Sequence, residues 1–545
     1  MAGILRGRRH LWAAVLAGWL VVLPAGAVTP ELGKGKLRRL VKLPLVSFPA
    51  NWVFDPERGF QLGTPGAERA ERLAEVGREL GQDPDDPVRL RELGTLLDEL
   101  NEPARARAAR NRALQIFKRR LELQPDNARV LREYGRTLAE AARSDEAESA
   151  LRRAVELAPE DWQNWLALGR FLDTESRRDI FERARVAPDA RTAGRGRSGG
   201  TVLAPDRVAL ARRRLAEAGA CYDTARTHAE AEPEVHLRRG LHLTLQNYLL
   251  HQIRQAAGER PSEAEALRDF FSPECVAELR RASELSPRDY HLLGNVALFE
   301  LYSLSAQSGR AGIQPEATFQ TLPESAQRTL RHTLARLEDL AGDANRRLAS
   351  GALEVLGILQ GPVLHEPHSA LASLERALAL DPTRGQAWEL AAGTLARTGD
   401  YAGLLDLSED RLRREDTLRS RLLLAKAYEK LRRWEEAEGE VLAALQKSPD
   451  DFTANLALTA LLLRRSDDPE TLAEAGTWLG RSDKALSRLT AVQKPRELLV
   501  EYSLLRAVYL GLTDDVEGAR QWTNSVLEVE PENPVAKEIL AAMDY

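Results

Sequence analysis

The sequence predicts an all-α protein, a right-handed superhelical solenoid of stacked helix–turn–helix hairpins. Three observations predict it. The stretches Leu123-Gln124-Pro125-Asp126-Asn127 and Leu157-Ala158-Pro159-Glu160-Asp161 each end an amphipathic run, and their prolines stand 34 residues apart. Gly135 and Gly169, inside the runs that follow, are also 34 apart. A fixed period of that size means one small unit is stacked repeatedly instead of a single core being closed. Long Leu/Ala/Arg/Glu runs with scarce β-branched segments argue against a sheet.

Within the unit 128–161, Leu131, Tyr134, Gly135 and Leu138 fall at the i, i+3, i+4, i+7 spacing of one helical stripe. A polar break at Arg143-Ser144-Asp145 follows, and a second stripe carries Ala147, Leu151, Ala154 and Val155. Pro159 closes it, because proline lacks the N–H that would continue the helix and its ring clashes with the preceding turn. Small residues at Gly135, Ala147 and Ala154 let two helix backbones approach while the large ones fill the seam.

Leu131, Tyr134-Gly135, Leu138, Ala147, Leu151, Ala154 and Pro159 resemble, in register, the pattern of the tetratricopeptide repeat (TPR) family. The register recurs at Ala425, Tyr428, Ala437, Val441, Ala444 and Pro449, and at Ala507, Leu510, Ala519, Val526 and Pro531. Trp165-x-x-Leu168-Gly169 and Trp388 supply the first-helix aromatic. Leu374, Ala377 and Pro382 close another second helix, and Cys275, Leu279, Ala282 and Pro287 do so in the middle. The resemblance covers residues 70–545, strongest at 87–188 and 370–545 and blurred between 207 and 345, and it implies roughly nine to eleven hairpins.

The departures from the period predict local differences. Gly94 to Gly135 spans seven residues more than one period; seven residues are about two helical turns, so the Arg105–Leu123 helix is expected to be longer without losing phase. The unit after Gly169 is expected to have a shortened second helix ending near Pro188, and loops are expected at 258–273, 306–323 and 465–470. The chain divides into 1–27, a signal peptide or amino-terminal anchor; 28–66, an irregular leader arm; 67–188, amino-terminal repeats; 189–206, a Gly/Arg-rich loop; 207–345, degenerate repeats with insertions; 346–531, carboxy-terminal repeats; and 532–545, a capping helix.

At 545 residues the chain exceeds an ordinary single core, but a solenoid grows by neighbour contacts. With 43% hydrophobic and 29% charged residues it suits a helical protein with a charged exterior, and a net charge of −5 directs it toward neither nucleic acid nor membrane. No interleaved basic and aromatic nucleic-acid motif occurs.

Arg6, Arg8 and Arg9 precede the apolar run Leu11–Leu23, which Pro24 and the small triplet Ala25-Gly26-Ala27 follow. That is the three-part layout of a secretory signal with cleavage after Ala27, and Arg8-Arg9 loosely echoes a twin-arginine signal. An uncleaved anchor is the competing reading, since residues 11–28 could span a thinned bilayer. The basic cluster Lys34, Lys36, Arg38, Arg39 and Lys42 opposes an anchor with its amino end in the cytoplasm, and equally opposes easy export; Ala25-Gly26-Ala27 favours cleavage. The expected location is periplasmic or secreted. The leader arm either covers the first hairpin or contacts a membrane surface.

Candidate chemistry is sparse. Cys221 and Cys275 lie where helix stripes want a small residue, as buried free thiols do, although an oxidising compartment would permit a disulfide. In His365-Glu366-Pro367-His368 the proline forbids the continuous helix of a zinc-binding His pair. His236, His242 and His251 are spaced by six and nine residues and share no helix face. No hydrolase elbow, zinc-protease motif or phosphate loop occurs. No cofactor, no metal and no enzymatic activity are expected; the alternative is an enzyme or enzyme subunit with a site hidden in the degenerate 189–345 region.

The resemblance also implies that the first helix of each hairpin lines a concave groove. Carried over to this chain, it places Arg91, Arg129, Arg132, Arg136 and Arg170 there, a set suited to an acidic protein or peptide segment. The Lys/Asn set of the family's carboxylate clamp is not found. In the carboxy-terminal repeats the same positions hold Leu422, Leu504 and Val508, which predicts an apolar groove. A solvated arginine face remains the plain alternative. The expected role is an exported scaffold that binds a protein or peptide partner in envelope assembly, secretion or polymer export, touching membrane only through the amino-terminal segment if that segment stays uncleaved.

Overall fold

The computed structural model describes residues 37–38, 54–55, 59–60, 65–99, 102–183, 203–257, 259, 263–307, 323–466, 468–488 and 496–543. The predicted signal segment 1–27, most of the leader arm and most of the 189–206 loop lie outside these residues. The chain forms two compact units, one of residues 48–400 and one combining 1–47 with 401–545.

In the first unit a two-residue antiparallel ladder, Phe54–Asp55 with Gly59–Phe60, precedes helices α1 (Pro65–Gln82), α2 (Pro87–Glu99), α3 (Pro103–Leu123), α4 (Ala128–Glu140), α5 (Ser144–Leu157) and α6 (Trp162–Arg178). α6 runs into a π-helical turn, Asp179–Arg183. Next come α7 (Pro205–His228), α8 (Pro233–Ala256), α9 (Glu263–Phe270), α10 (Pro273–Leu285), α11 (Tyr290–Gln307), α12 (Glu324–Ala341), α13 (Arg346–Ile358), α14 (Pro367–Leu380) and α15 (Gly385–Thr398). The second unit holds α16 (Tyr401–Arg414), α17 (Leu418–Lys430), α18 (Trp434–Lys447), α19 (Phe452–Arg465), α20 (Pro469–Arg488), α21 (Arg496–Leu512), α22 (Val516–Val529) and α23 (Pro534–Met543).

Consecutive helices pack as antiparallel hairpins: α2–α3, α4–α5, α6–α7, α8–α10, α11–α12 and α13–α14 in the first unit, α17–α18, α19–α20 and α21–α22 in the second. These nine among the described residues match the lower end of the expected number. Each crossing rests on a small residue. A Cβ on Gly135 would lie 2.7 Å from Leu151 Cγ, and one on Gly357 2.5 Å from Leu374 Cγ; Ala425 and Ala507 hold the same register position and are buried.

Three of the hairpin turns, and the turn that closes α15, share one device. Ala142, Arg432 and Asp514 have φ of 60°, 60° and 65°, and Gly399 has φ of 80°. Each stands seven residues after its small crossing residue (Gly135, Ala425, Ala507, Ala392), and the following backbone N–H reaches back to the carbonyl of Leu138, Tyr428, Leu510 or Leu395. This left-handed residue closes the helix and satisfies carbonyls that would otherwise be orphaned. The turns between hairpins use the other signal: Asn127, Asp161 and Asp451 accept backbone N–H groups of the helix they cap.

Several expectations are corrected. α6 pairs with α7, which starts at Pro205 inside the stretch read as loop, and the shortened helix end expected near Pro188 lies outside the described residues. The stretch 258–273 contains α9, whose eight residues form a helix that packs on α8 and α11. The leader arm does not cover the first hairpin where it is described, because Leu37 is 3% exposed within the core of the second unit. The long-helix expectation is met: α3 spans 21 residues against 14 for α5.

Candidate functional site

Between α2, α4, α6 and α8 the first unit holds an open cavity of about 320 Å³, lined by Val88, Arg129, Arg132, Glu133, Arg136, Trp162, Gln163, Leu166, Ala167, Arg170 and Glu234. Four of the five arginines assigned to the groove meet there. Three of these sit on α4, with Arg132 and Arg136 four residues apart on one face and Arg129 one turn earlier, while Arg170 comes from the equivalent helix of the next hairpin.

Their surroundings divide them into two kinds. Arg132 is 5% exposed; it donates to Asp161 Oδ2 at 2.6 Å and to Asn164 Oδ1 at 2.9 Å. Asn164, fully buried, donates in turn to the carbonyls of Ala154 and Ala158 at 3.1 Å each. Arg91 pairs with Glu140 at 2.8 Å and lies 3.5 Å from Glu133. These two guanidinium groups join neighbouring helices, Arg132 from within the cavity lining and Arg91 from outside it. The reason is that an inner-face position close to the next hairpin finds that hairpin's carboxylates before it finds solvent.

Arg136 is half-buried and donates to both oxygens of Glu133 at 3.1 and 3.2 Å. Burial would raise the Glu133 carboxyl, but Arg136, Arg91 and Arg132 together outweigh it and hold it below its ordinary value. Arg129 and Arg170 differ: both are exposed, and among the described residues neither has a carboxylate within ion-pairing distance. Protein surrounds the Arg170 guanidinium on several sides although the trough stays open to water. That enclosure, then the like charges of Arg238 and Arg136, lower its pKa to about 10.

The cavity presents four guanidinium groups against the carboxylates of Glu133 and Glu234, the latter paired with Arg238 at 2.7 Å. Trp162, Leu166 and Val88 supply apolar surface beside the charge. Glu133, Trp162, Gln163 and Glu234 were not among the residues singled out from sequence. Trp162 and Gln163 are recoverable as the opening residues of the helix that carries Arg170. Glu234 belongs to the blurred part of the pattern and carries no local signal.

The second predicted groove is closed. Leu422 is 3% exposed and Val508 2%, both within the core of the second unit, and Leu504 packs against that core from its edge. These residues do not line an open apolar trough, because they pack into the apolar core of the unit, to which Leu37 also belongs.

The degenerate region holds two buried polar clusters. The Tyr222 hydroxyl donates to Asp173 Oδ2 at 2.8 Å, and His242 Nδ1 lies 2.8 Å from Asp173 Oδ1. Burial and the adjacent carboxylate push the Tyr222 hydroxyl well above its ordinary value. His236 Nδ1 lies 2.6 Å from Glu278 Oε2, with Arg226 on the other oxygen at 2.9 Å. Both clusters bridge helices. Cys221 and Cys275 are buried and free. Among the described residues, no group of three or more His, Cys, Asp or Glu could hold a metal ion, and no helix is long and apolar enough to cross a membrane.

Residues 109–169 match the sequence pattern of the tetratricopeptide repeat. The chain is similar in structure to yeast Tom70, at 13% identity over 87% of this chain and 92% of that one, with a TM-score of 0.37. It is also similar to a tetratricopeptide repeat protein from Parabacteroides merdae ATCC 43184, at 16% identity over 52% and 99% of the two chains, with a TM-score of 0.35. No curated protein matches the sequence. The match at 109–169 covers α4 and α5, and the same crossing residues and turns recur in the second unit. Residues 109–169 thus carry a tetratricopeptide repeat, and the described residues form an all-α stack of helix hairpins.

Proposed function

We propose that this protein is a non-catalytic scaffold that captures an acidic segment of a protein partner in the arginine-lined cavity of its first unit. The observation that carries the proposal is that Arg129 and Arg170 line the same cavity without a carboxylate partner, beside the exposed edge of Trp162. Guanidinium groups bind carboxylates through charge-assisted, often bidentate hydrogen bonds. Because helices on both sides of α4 and α6 fix the wall, little receptor ordering opposes binding. The partner contributes an extended or helical stretch rich in Asp and Glu.

The proposed setting is beyond a membrane, in envelope assembly, secretion or polymer export, with the amino-terminal segment removed after Ala27. Arg6, Arg8 and Arg9 before Leu11–Leu23, and Ala25-Gly26-Ala27 after it, support this. Amino-terminal sequencing of the protein recovered from its host tests it: a mature chain starting at Val28 is expected, and an intact Met1 in a soluble fraction rules export by this route out.

Binding is tested with a fluorescein-labelled oligoglutamate peptide. The double variant Arg129→Glu, Arg170→Glu removes the unpaired cations and leaves the Arg132 and Arg91 joints intact. A loss of affinity of about tenfold or more is expected, with the wild-type affinity falling as salt rises. Equal anisotropy titrations for wild type and double variant would remove the cavity from the account.

A further inference from the structure

The second unit carries a stripe where the first unit carries its arginines. Counted from the small crossing residue of each leading helix, the positions three before, one after and four after are Leu422, Lys426 and Glu429 on α17. On α19, counted from Thr459, they are Leu456, Ala460 and Leu463; on α21 they are Leu504, Val508 and Gly511. The units differ at the position one after: in the first unit it holds the half-buried Arg136 and the exposed Arg170, and in the second the buried Lys426, Ala460 and Val508 (4%, 1% and 2% exposed), whereas the position three before is buried in both, at Arg132, Leu166, Leu422 and Leu456.

At the end of this stripe lies a residue more than 470 positions away in sequence. Leu37 is 3% exposed, belongs to the same apolar core, and its Cδ1 is 2.9 Å from where a Cβ on Gly511 would stand. Gly511 leaves a notch the size of a methyl group, and a leucine from the leader fills it. Leu37 and Arg38 have helical backbone at this point. A leucine flanked by Lys34, Lys36, Arg38 and Arg39 is an odd component of a hairpin core, and it is an ordinary component of an amphipathic docking segment.

We propose that the inner face of the second unit is a receptor for the chain's own leader: Leu37 docks at Gly511 as an intramolecular ligand, and the slot stays shut to any competing segment while it does. Leu37 is thereby held to α21, not to the first hairpin. Tethering supplies the advantage, since a linked segment competes at a high effective concentration against one arriving from solution.

The test uses the full-length chain and a labelled peptide spanning residues 30–47. Leu37→Asp empties the notch, because a carboxylate does not enter an apolar site without a partner. Leu37→Asp protein is expected to bind the peptide about ten- to a hundredfold more tightly than wild type does, the range one buried leucine supports. Adding Gly511→Leu, which fills the notch, is expected to abolish that gain. Equal peptide binding by wild type and Leu37→Asp overturns the proposal, as does no binding by a Leu37→Asp chain that keeps its helical circular dichroism. If Leu37→Asp does not fold, Leu37→Ala is compared with wild type by hydrogen exchange: faster exchange of the amides of 504–512 is expected, and unchanged exchange overturns it.

Discussion

Arg132 and Asn164 meet at 2.9 Å across the joint between two hairpins, and Asn164 spends both of its amide hydrogens on the carbonyls of Ala154 and Ala158 at the end of α5. The pair thus ties the leading helix of one repeat to the closing helix of the same repeat and the leading helix of the next. Trp165 reinforces the joint by donating its indole N–H to Pro159 O at 2.7 Å, and Trp388 does the same to Pro382 O at 2.7 Å in a later repeat.

Arg132→Ala is therefore expected to behave differently from Arg170→Ala, although both residues line one cavity. Removing Arg132 leaves Asp161 and Asn164 without their buried donor and should cost about 3 kcal/mol of stability. Removing Arg170 deletes an unpaired cation near Arg238 and Arg136 and should change stability by less than about 0.5 kcal/mol. Urea unfolding followed by circular dichroism separates the two; similar midpoints would show that Arg132 is not a structural joint.

The left-handed turn residues give a second expectation. Ala142 adopts φ of 60° with a side chain, where Gly399 takes the equivalent conformation without one. Relief of the Cβ clash outweighs the extra unfolded-state freedom of glycine at such a site, so Ala142→Gly should stabilise the protein by about 0.5–1 kcal/mol. A lowered thermal midpoint for Ala142→Gly would contradict the turn geometry.

These turns also show what the sequence reveals and what it hides. The hairpins themselves are readable because Gly135, Ala147, Leu151 and Pro159 each state a steric requirement that no other packing explains. The turns are not, since three of the four left-handed positions carry Ala, Arg or Asp in place of glycine, and only the polar run at Arg143-Ser144-Asp145 marks the spot. The pairing of α6 with α7 is hidden for a different reason: the partner helix starts more than twenty residues after the π-turn ends, and helical period says nothing about which helix will be met. The convergence of Arg129, Arg136 and Arg170 follows from register alone, whereas the neutralisation of Arg91 and Arg132 depends on Glu140, Asp161 and Asn164, whose reach across a joint only coordinates reveal. The burial of Leu422 and Val508 is equally hidden, since register places them on an inner face without saying what packs there.

The two thiols give a third expectation. Burial pushes the Cys221 and Cys275 thiols up to about 12, and the Thr244 hydroxyl, 2.9 Å from Cys275 Sγ, only partly opposes that. The thiolate is the reactive form, so neither cysteine should be alkylated in the native protein at neutral pH. Iodoacetamide followed by mass spectrometry should find no label in native protein and two in urea. Rapid native labelling of either would place it outside the core.

Glu133 contributes to the acid sensitivity of the first unit. Its carboxyl is buried and surrounded by Arg136, Arg91 and Arg132, which hold its folded pKa below the ordinary 4.5 despite the opposing effect of burial. A carboxyl whose folded pKa is depressed contributes stability that is fully present above its unfolded value and disappears as pH falls through the folded one. Wild-type stability is therefore expected to drop below about pH 4.5 with a contribution from this site, and Glu133→Gln should lose that contribution. At neutral pH the same variant leaves three guanidinium groups facing an amide and should cost about 3 kcal/mol. The difference between wild type and Glu133→Gln in urea stability should accordingly be largest near neutrality and shrink as pH falls below the ordinary carboxylate range. A difference that stays constant from pH 7 to 3 would mean that Glu133 acts through packing and not through its charge.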